Sequence, residues 1–400
     1  MRVLMLSWEY PPHLVGGLGR HVENLSKHLA SQGEDVTVLT FTDGSSLLRE
    51  MVDGVRVIRV NPYCLRYPDF TTWVQGLNML MVDATSQAPE FDIIHAHDWL
   101  SAYAGITIKH MARKPLIATI HATEMGRRGM LHNDTERHIH EMEWWLGFEA
   151  WRVICCSHYM AKEIASDLGC PPSKIEVIPN GFDPSFFKSG IGGEVEGEGT
   201  GSVDANKTFL FVGRLVHEKG PHIFVKAASI LKERQVRFAI IGEGAMKPYL
   251  EDMIRKSGLR ENVRLFGHVS ELELHKLYHS SYACIFPSLY EPFGIVALEA
   301  MSAGVPAIVS KTGGLDEIVE DGVNGLEFSP GSAESLANAI QRLMDEPALY
   351  PKIIKNGMAS LEKYSWPLVA ERTRAIYSSV MEEYEGGGWK PSRQRCRSCR

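Results

Sequence analysis

The sequence predicts an α/β protein made of two doubly wound, parallel-sheet halves facing each other across a deep cleft. Three observations carry this. Apolar, strand-like runs alternate with helical periodicity along most of the chain, the pattern of parallel sheets flanked by helices. A strand, a glycine turn, a helix and a second strand open the chain, and the same unit restarts near residue 207. Between the two lies Gly190-Ile-Gly-Gly-Glu-Val-Glu-Gly-Glu-Gly-Thr-Gly-Ser202, too poor in apolar side chains to order itself. The expected division is 1–185 for the first half, 186–206 for the linker and 207–365 for the second half. A final helix over 366–385 is expected to pack back on the first half, ahead of a disordered basic tail over 386–400.

In the first half, Met1 to Ser7 reads as a strand. It is followed by Trp8-Glu-Tyr-Pro-Pro12 and the glycine loop Val15-Gly16-Gly17-Leu-Gly19. Arg20 to Ser31 places Val22, Leu25, Leu29 and Ala30 on one helical face, Gly33 ends that helix, and Val36 to Thr40 is the next strand. This is a βαβ unit of Rossmann type. The loop is not G-x-G-x-x-G and no acidic residue ends the second strand, so a dinucleotide site is not indicated. Glycine here lets backbone amides approach a phosphate or a sugar. Further strands are expected at Val55–Val60, Ile93–Ile94, Leu116–Ile120 and Val153–Cys156. Polar residues gather where two of them should end, in His95-Ala-His97-Asp98-Trp99 and His121-Ala-Thr-Glu124. Asn133 to Trp151 reads as a long helix, with His138 and its other polar residues on a packing or solvated face.

The second half repeats the pattern. Strand Phe209–Val212 leads into a loop from Gly213 to Gly220 that carries Arg214 and Lys219, and a helix follows from Pro221. Strand Arg237–Ile241 leads to Gly242-Glu-Gly244, and strand Val263–Leu265 to Phe266-Gly-His268-Val269, the candidate neighbourhood for a nucleotide base. Tyr282–Phe286 is a buried strand stopped by Pro287. Beyond it, Glu291 lies in a loop, Phe293, Gly294 and Ile295 begin a small-residue helix, and Glu299 sits within that helix. Strand Ala307–Val309 ends at Lys311-Thr312-Gly313-Gly314. An unpaired Glu299 among Val296, Leu298 and Met301 would be costly, and a sugar or ribose hydroxyl would satisfy it. The helix N–H groups near Gly294 favour an anion, and two cations on a neighbouring loop suit a diphosphate. Carboxylates for hydroxyls beside amides and cations for phosphate is the chemistry of a nucleotide-sugar site.

Composition narrows the alternatives. Four hundred residues, 44% hydrophobic and 23% charged, describe a globular chain of two or three domains. A net charge of -7 argues against nucleic acid as a partner. No signal peptide and no apolar run fit for a membrane span are visible, and seven scattered cysteines suit a reducing, cytoplasmic setting. Cys396 and Cys399 lie in the basic tail with no second ligand pair, which disfavours a zinc knuckle. Oligomeric state leaves no signature.

The spacing Glu291-x7-Glu299 with Pro-Phe-Gly after the first glutamate resembles the donor-site motif of the retaining glycosyltransferases of the GT-B fold. Ser7-Trp-Glu-Tyr-Pro-Pro with Val15-Gly-Gly-Leu resembles the N-terminal loop of the glycogen and starch synthase branch. His95-Ala-His-Asp98-Trp is similar to that branch's H-x-H-D-W element, as are Gly213-Arg214-Leu with Glu218-Lys219-Gly220 and Thr312-Gly-Gly314 to its phosphate and hexose loops. One departure is Leu14, where the strict bacterial synthases carry lysine, so the chain is closer to the broader family 4. The resemblance implies that Glu291 contacts the donor hexose and Glu299 the ribose, and that Arg214 and Lys219 hold the diphosphate. It also implies that His121 lies by the reacting sugar and that Asp98 orients sugar hydroxyls. No Asp-x-Asp metal clamp is present, so the expectation is no metal and no other cofactor. The expected partners are a nucleotide-sugar donor such as ADP- or UDP-glucose and a glycan acceptor of glycogen type. The alternative is glucosyl or mannosyl transfer to a small or lipid-linked acceptor. A metallohydrolase built on His95 and His97 and a non-catalytic nucleotide-sugar binder are the readings from other classes. The first is disfavoured because neighbours on a strand, such as His97 and Asp98, point to opposite faces.

Overall fold

A computed structural model describes residues 1–44, 48–64, 66–183 and 207–389. The expected linker and the Cys396/Cys399 tail lie outside the described residues. The chain divides into two compact units, one of Met1–Gly181 with the segment from Trp366 onward, the other of Phe182–Ser365.

The first unit is built on an eight-stranded sheet. Its strands are β1 (Arg2–Leu6), β2 (Asp35–Phe41), β3 (Arg49–Val52), β4 (Val55–Val60), β5 (Ile93–His97), β6 (Leu116–Ile120), β7 (Arg152–Cys155) and β8 (Ile175–Val177). The order is β3-β4-β2-β1-β5-β6-β7-β8, and all pairs are parallel except β3–β4. Strands β5 and β6 are buried at every position, as strands covered by helices on both faces must be. The helix Gly17–Ser31 turns Val22, Leu25 and Leu29 inward, and the closing helix Trp366–Gly386 adds Val369, Ala370, Tyr377 and Val380 to the same core.

Two differences from the sequence expectation have simple causes. The hairpin β3–β4 was not expected, because Arg49–Val52 is a short, half-exposed edge strand with little apolar signal. Its turn, Asp53-Gly54 with both φ angles positive, is the local cue that marks it. Strand β5 runs past Ile94 to His97, so His95 and His97 lie inside the strand rather than beyond its end, both fully buried.

The second unit has a six-stranded, all-parallel sheet of β9 (Lys207–Val212), β10 (Val236–Ile241), β11 (Val263–Gly267), β12 (Ala283–Phe286), β13 (Ala307–Ser310) and β14 (Leu326–Phe328). The order is β11-β10-β9-β12-β13-β14. The chain therefore reverses direction across the sheet between β9 and β12, and the loops leaving these two strands lie side by side. That crevice is where doubly wound sheets bind ligands. A core of Phe209, Phe211, Phe224 and Phe238 with Leu336 and Ile340 fills the space between sheet and helices. No helix among the described residues is long and apolar enough to cross a membrane.

Candidate functional site

In the second unit the reversal between β9 and β12 brings the cation loop to the carboxylate loop. The backbone N–H of Leu289 donates to the Glu218 carbonyl at 2.7 Å, tying the two loops together. Lys219 Nζ then lies 2.6 Å from Glu291 Oε2, and Ser288 Oγ donates to the same oxygen at 3.1 Å. Glu291 is buried, so this pairing keeps its charge from being stranded. Arg214 projects differently. Its side chain is 63% exposed and, among the described residues, pairs with Glu218 at 3.6 Å, which leaves most of the guanidinium fork open to a ligand.

The third loop, after β13, closes on the second. The Gly314 N–H donates to the Glu291 carbonyl at 2.8 Å, and Thr312 Oγ1 donates to the Leu289 carbonyl at 3.4 Å. Gly313 has φ +55°, and a Cβ there would stand 2.0 Å from the Glu291 carbonyl oxygen. Only glycine permits this approach. Phe293 is buried with its ring 5.8 Å from that of Tyr364, and Gly294, at φ +111°, caps the helix Ile295–Ser302. Glu299 is half-buried, and its partner is the Tyr278 hydroxyl, which donates to Oε2 at 2.8 Å. Gly213 and Gly244 belong to adjoining turns after β9 and β10, with the Gly213 N–H on the Ile241 carbonyl and the Leu215 N–H on the Glu243 carbonyl. The His268 backbone N–H bonds the Glu243 carboxylate, whose acidity is strengthened first by Lys247. His268 is exposed and Val269 half-exposed.

In the first unit, Asp98 follows β5 with φ +58° and ψ 173°, a conformation that non-glycine residues avoid. The strain places its carboxylate so that Oδ1 accepts the His121 backbone N–H at 2.7 Å. His121 Nε2 is 3.3 Å from His97 Nδ1. His95 is held by the Tyr377 hydroxyl and by Thr119 Oγ1, each at 2.7 Å. Burial pushes the Asp98 carboxyl up to about 6 and His121 down to about 4, and it holds His21, His95 and His97 well below the usual histidine value. Near neutral pH this site therefore offers an ionised Asp98 and uncharged imidazoles.

The glycine loop before the first helix behaves differently from its expectation. The N–H groups of Val15 and Gly16 both donate to Glu9 Oε2, at 2.8 and 2.9 Å. Gly16's amide is thus spent on a buried carboxylate of its own unit and is not offered to a phosphate. Gly17 is the first residue of the helix.

Sequence reasoning also passed over His21, Asn180 and Glu143. His21 is buried, donates from Nδ1 to Asn180 Oδ1 at 3.0 Å, and packs its ring 4.7 Å from that of His121. The cue was available, since His21 shares the inward helix face with Leu25. Glu143 is buried and takes the Glu124 N–H on both oxygens, at 2.9 and 3.1 Å, and burial raises it to about 8. No local pattern marked that contact. One nitrogen from each of His21, His97 and His121 lies within 4.8 Å of the others, so among the described residues this trio, rather than His95 with His97, is the group that could hold a metal ion.

The chain matches the family model for glycosyl transferases group 1 over residues 196–359 and the model for glycosyltransferase family 4 over residues 15–186. It is 38% identical to an uncharacterized glycosyltransferase of Methanocaldococcus jannaschii, over 96% of this chain and 99% of that one. It is 36% identical to the glycogen synthase of Mycobacterium tuberculosis, over 94% of each. Its fold matches that of an Anabaena protein solved in complex with UDP and glucose, with TM-score 0.74, 25% identity and coverage of 95% of this chain and 100% of that chain.

Proposed function

The chain belongs to the family 4 glycosyltransferases of GT-B fold, in the branch resembling glycogen and starch synthases, and on that premise we propose that it extends an α-glucan from ADP- or UDP-glucose. It is a hexosyltransferase that draws on a nucleotide sugar. The observation that best supports the finer reading is the Lys219–Glu291 pair beside the Gly294 helix cap and the Gly313-Gly314 turn. In this reading Arg214 and Lys219 bind the diphosphate, and Lys219 divides its three donors between phosphate and Glu291. Glu291 meets the transferred hexose and Glu299, oriented by Tyr278, the ribose. His121 and Asp98 take the roles of meeting the reacting sugar and its hydroxyls.

Transfer proceeds with retention. The acceptor hydroxyl attacks the anomeric carbon on the face from which the diphosphate departs, through an oxocarbenium-like transition state. The C–O bond to phosphate breaks as the new glycosidic bond forms, and the leaving phosphate oxygen takes the acceptor's proton. Charge growing on that oxygen is offset by Arg214, Lys219 and the helix N–H groups. No metal ion is required in this scheme. The name of the mycobacterial relative supports a glucan acceptor, and the UDP and glucose in the Anabaena complex support a nucleotide-glucose donor. The buried thiols of Cys170 and Cys284 support work in a reducing, cytoplasmic setting.

A thermal-shift screen against ADP, UDP and GDP and their glucose and mannose conjugates, in EDTA, tests the donor. Transfer of radiolabelled glucose to glycogen then tests the acceptor. A shift for one diphosphate and incorporation into glycogen are expected. No shift with any nucleotide would overturn the donor assignment; transfer only to a small acceptor would overturn the glucan.

A further inference from the structure

Three imidazoles meet at the carboxyl edge of the first unit's sheet, and the transfer chemistry gives a role to one of them. His97 ends β5, His121 follows β6, and His21 lies on the helix Gly17–Ser31. One nitrogen from each lies within 4.8 Å of the other two, with His21 and His97 buried and His121 partly exposed. Histidines placed only for packing have their ring nitrogens hydrogen-bonded. Neighbouring His95 is of that kind, held on both nitrogens by Tyr377 and Thr119.

His21 is not. Its Nδ1 donates to Asn180 Oδ1, which fixes the tautomer and leaves the lone pair on Nε2. That Nε2 is buried without a hydrogen-bond partner. A histidine anchored through one nitrogen with the other left bare is how metal ligands are held. His97 Nε2 is likewise buried and unpartnered, and its Nδ1 faces His121 Nε2 at 3.3 Å. That distance is long for a hydrogen bond. It matches the edge between two ligands on a tetrahedral zinc ion, about 3.3 Å for metal–nitrogen bonds of roughly 2.0–2.1 Å.

The donor set selects the metal. Three imidazoles and an open fourth position suit zinc, whereas magnesium and calcium require oxygen ligands. Charge is provided for as well, because the Asp98 carboxylate lies on the His121 backbone N–H at 2.7 Å. Arg127, the cation that bears on Asp98, is itself paired with Glu124 at 3.1 Å and Glu143 at 3.6 Å. The partly exposed ring of His121 gives an ion its way in.

We propose that His21, His97 and His121 form a zinc site whose occupation arrests transfer. A ligated His121 no longer has its ring nitrogen for the sugar. A divalent charge beside an oxocarbenium-like centre also raises the energy of the transition state, which itself carries positive charge. The arrest rests on the reading that places His121 by the reacting sugar; the binding of zinc does not.

The test uses the full chain, stripped with EDTA and then desalted. Cobalt should give the intense visible absorption of a tetrahedral site, zinc should displace it, and zinc should raise Tm. Magnesium and calcium should do neither. Micromolar zinc should lower the transfer rate about tenfold or more. In His21→Gln the cobalt spectrum and the rise in Tm should vanish, and zinc should change that variant's own rate less than twofold. This variant keeps all seven cysteines and meets the same nucleotide, so zinc held by thiols or phosphate is common to both proteins. Asn180→Ala, which frees the His21 ring, should weaken zinc binding about tenfold or more. No tetrahedral cobalt spectrum, or one that both variants leave unaltered, would overturn the site. Binding lost in His21→Gln but without effect on wild-type transfer would overturn the arrest, and with it the placing of His121 by the sugar. The cobalt and Tm measurements need no acceptor, so they decide the site even if no glucan is extended.

Discussion

Lys219 Nζ and Glu291 Oε2 meet at 2.6 Å although they lie 72 residues apart, on loops leaving two different strands. The contact joins the group that would hold phosphate to the group that would hold the sugar. Glu291→Gln keeps the hydrogen-bonding outline and removes the charge. Turnover should fall at least a hundredfold, about 2.7 kcal/mol, with nucleotide diphosphate affinity nearly unchanged. Steady-state kinetics beside calorimetric titration of the diphosphate checks this, and unchanged turnover would refute the hexose role.

Arg214 separates function from stability. Its side chain is mostly in solvent and its ion pair among the described residues is a long one, at 3.6 Å, so Arg214→Ala should leave Tm nearly as it is. If the guanidinium stabilises the leaving group, the barrier should rise by about 2–4 kcal/mol. A loss under tenfold, about 1.4 kcal/mol, would dismiss that role.

Glu299 and Tyr278 form one unit. If the carboxylate meets ribose as proposed, Glu299→Ala should raise the donor KM before it lowers kcat. Tyr278→Phe leaves the carboxylate present but unoriented, and should raise the same KM by a smaller factor. An effect on kcat at unchanged donor affinity would count against the ribose assignment.

The buried acids and histidines set opposite pH responses. Asp98 and Glu143 titrate at about 6 and about 8 in the folded protein, above their ordinary values of 3.8 and 4.5. The folded state therefore holds these protons more tightly than the unfolded chain, and stability declines as pH rises through each interval. Glu143→Gln removes the second decline, so its Tm should be flatter than wild type between pH 6 and 8. His21, His95, His97 and His121 are depressed, so their contribution is present above the unfolded value near 6.5 and is lost as pH falls through the folded values. Activity should also drop as pH falls through about 6, where Asp98 gains a proton and weakens as acceptor of the His121 N–H. A kcat flat from pH 7 to 5 would contradict this.

Metal independence has its own check. Dialysis against EDTA should leave kcat unchanged. Loss of activity restored by zinc would place the His21–His97–His121 trio in the reaction instead.

Much of this molecule is written in short windows of sequence. Alternating apolar runs and glycine turns specify parallel strands and their connections, because side-chain periodicity and positive φ are properties of a few neighbouring residues. The eight-residue spacing of Glu291 and Glu299, with a turn before and a small-residue helix around the second, is local in the same sense. Strand order is not. The insertion of β12 beside β9 is what carries Glu291 to Lys219, and the return of the last helix is what brings the Tyr377 hydroxyl to His95, 282 residues away. Such pairings arise only when whole elements pack, since buried charges and donors take whichever partner the assembled core presents. No window of the chain contains both members of such a pair.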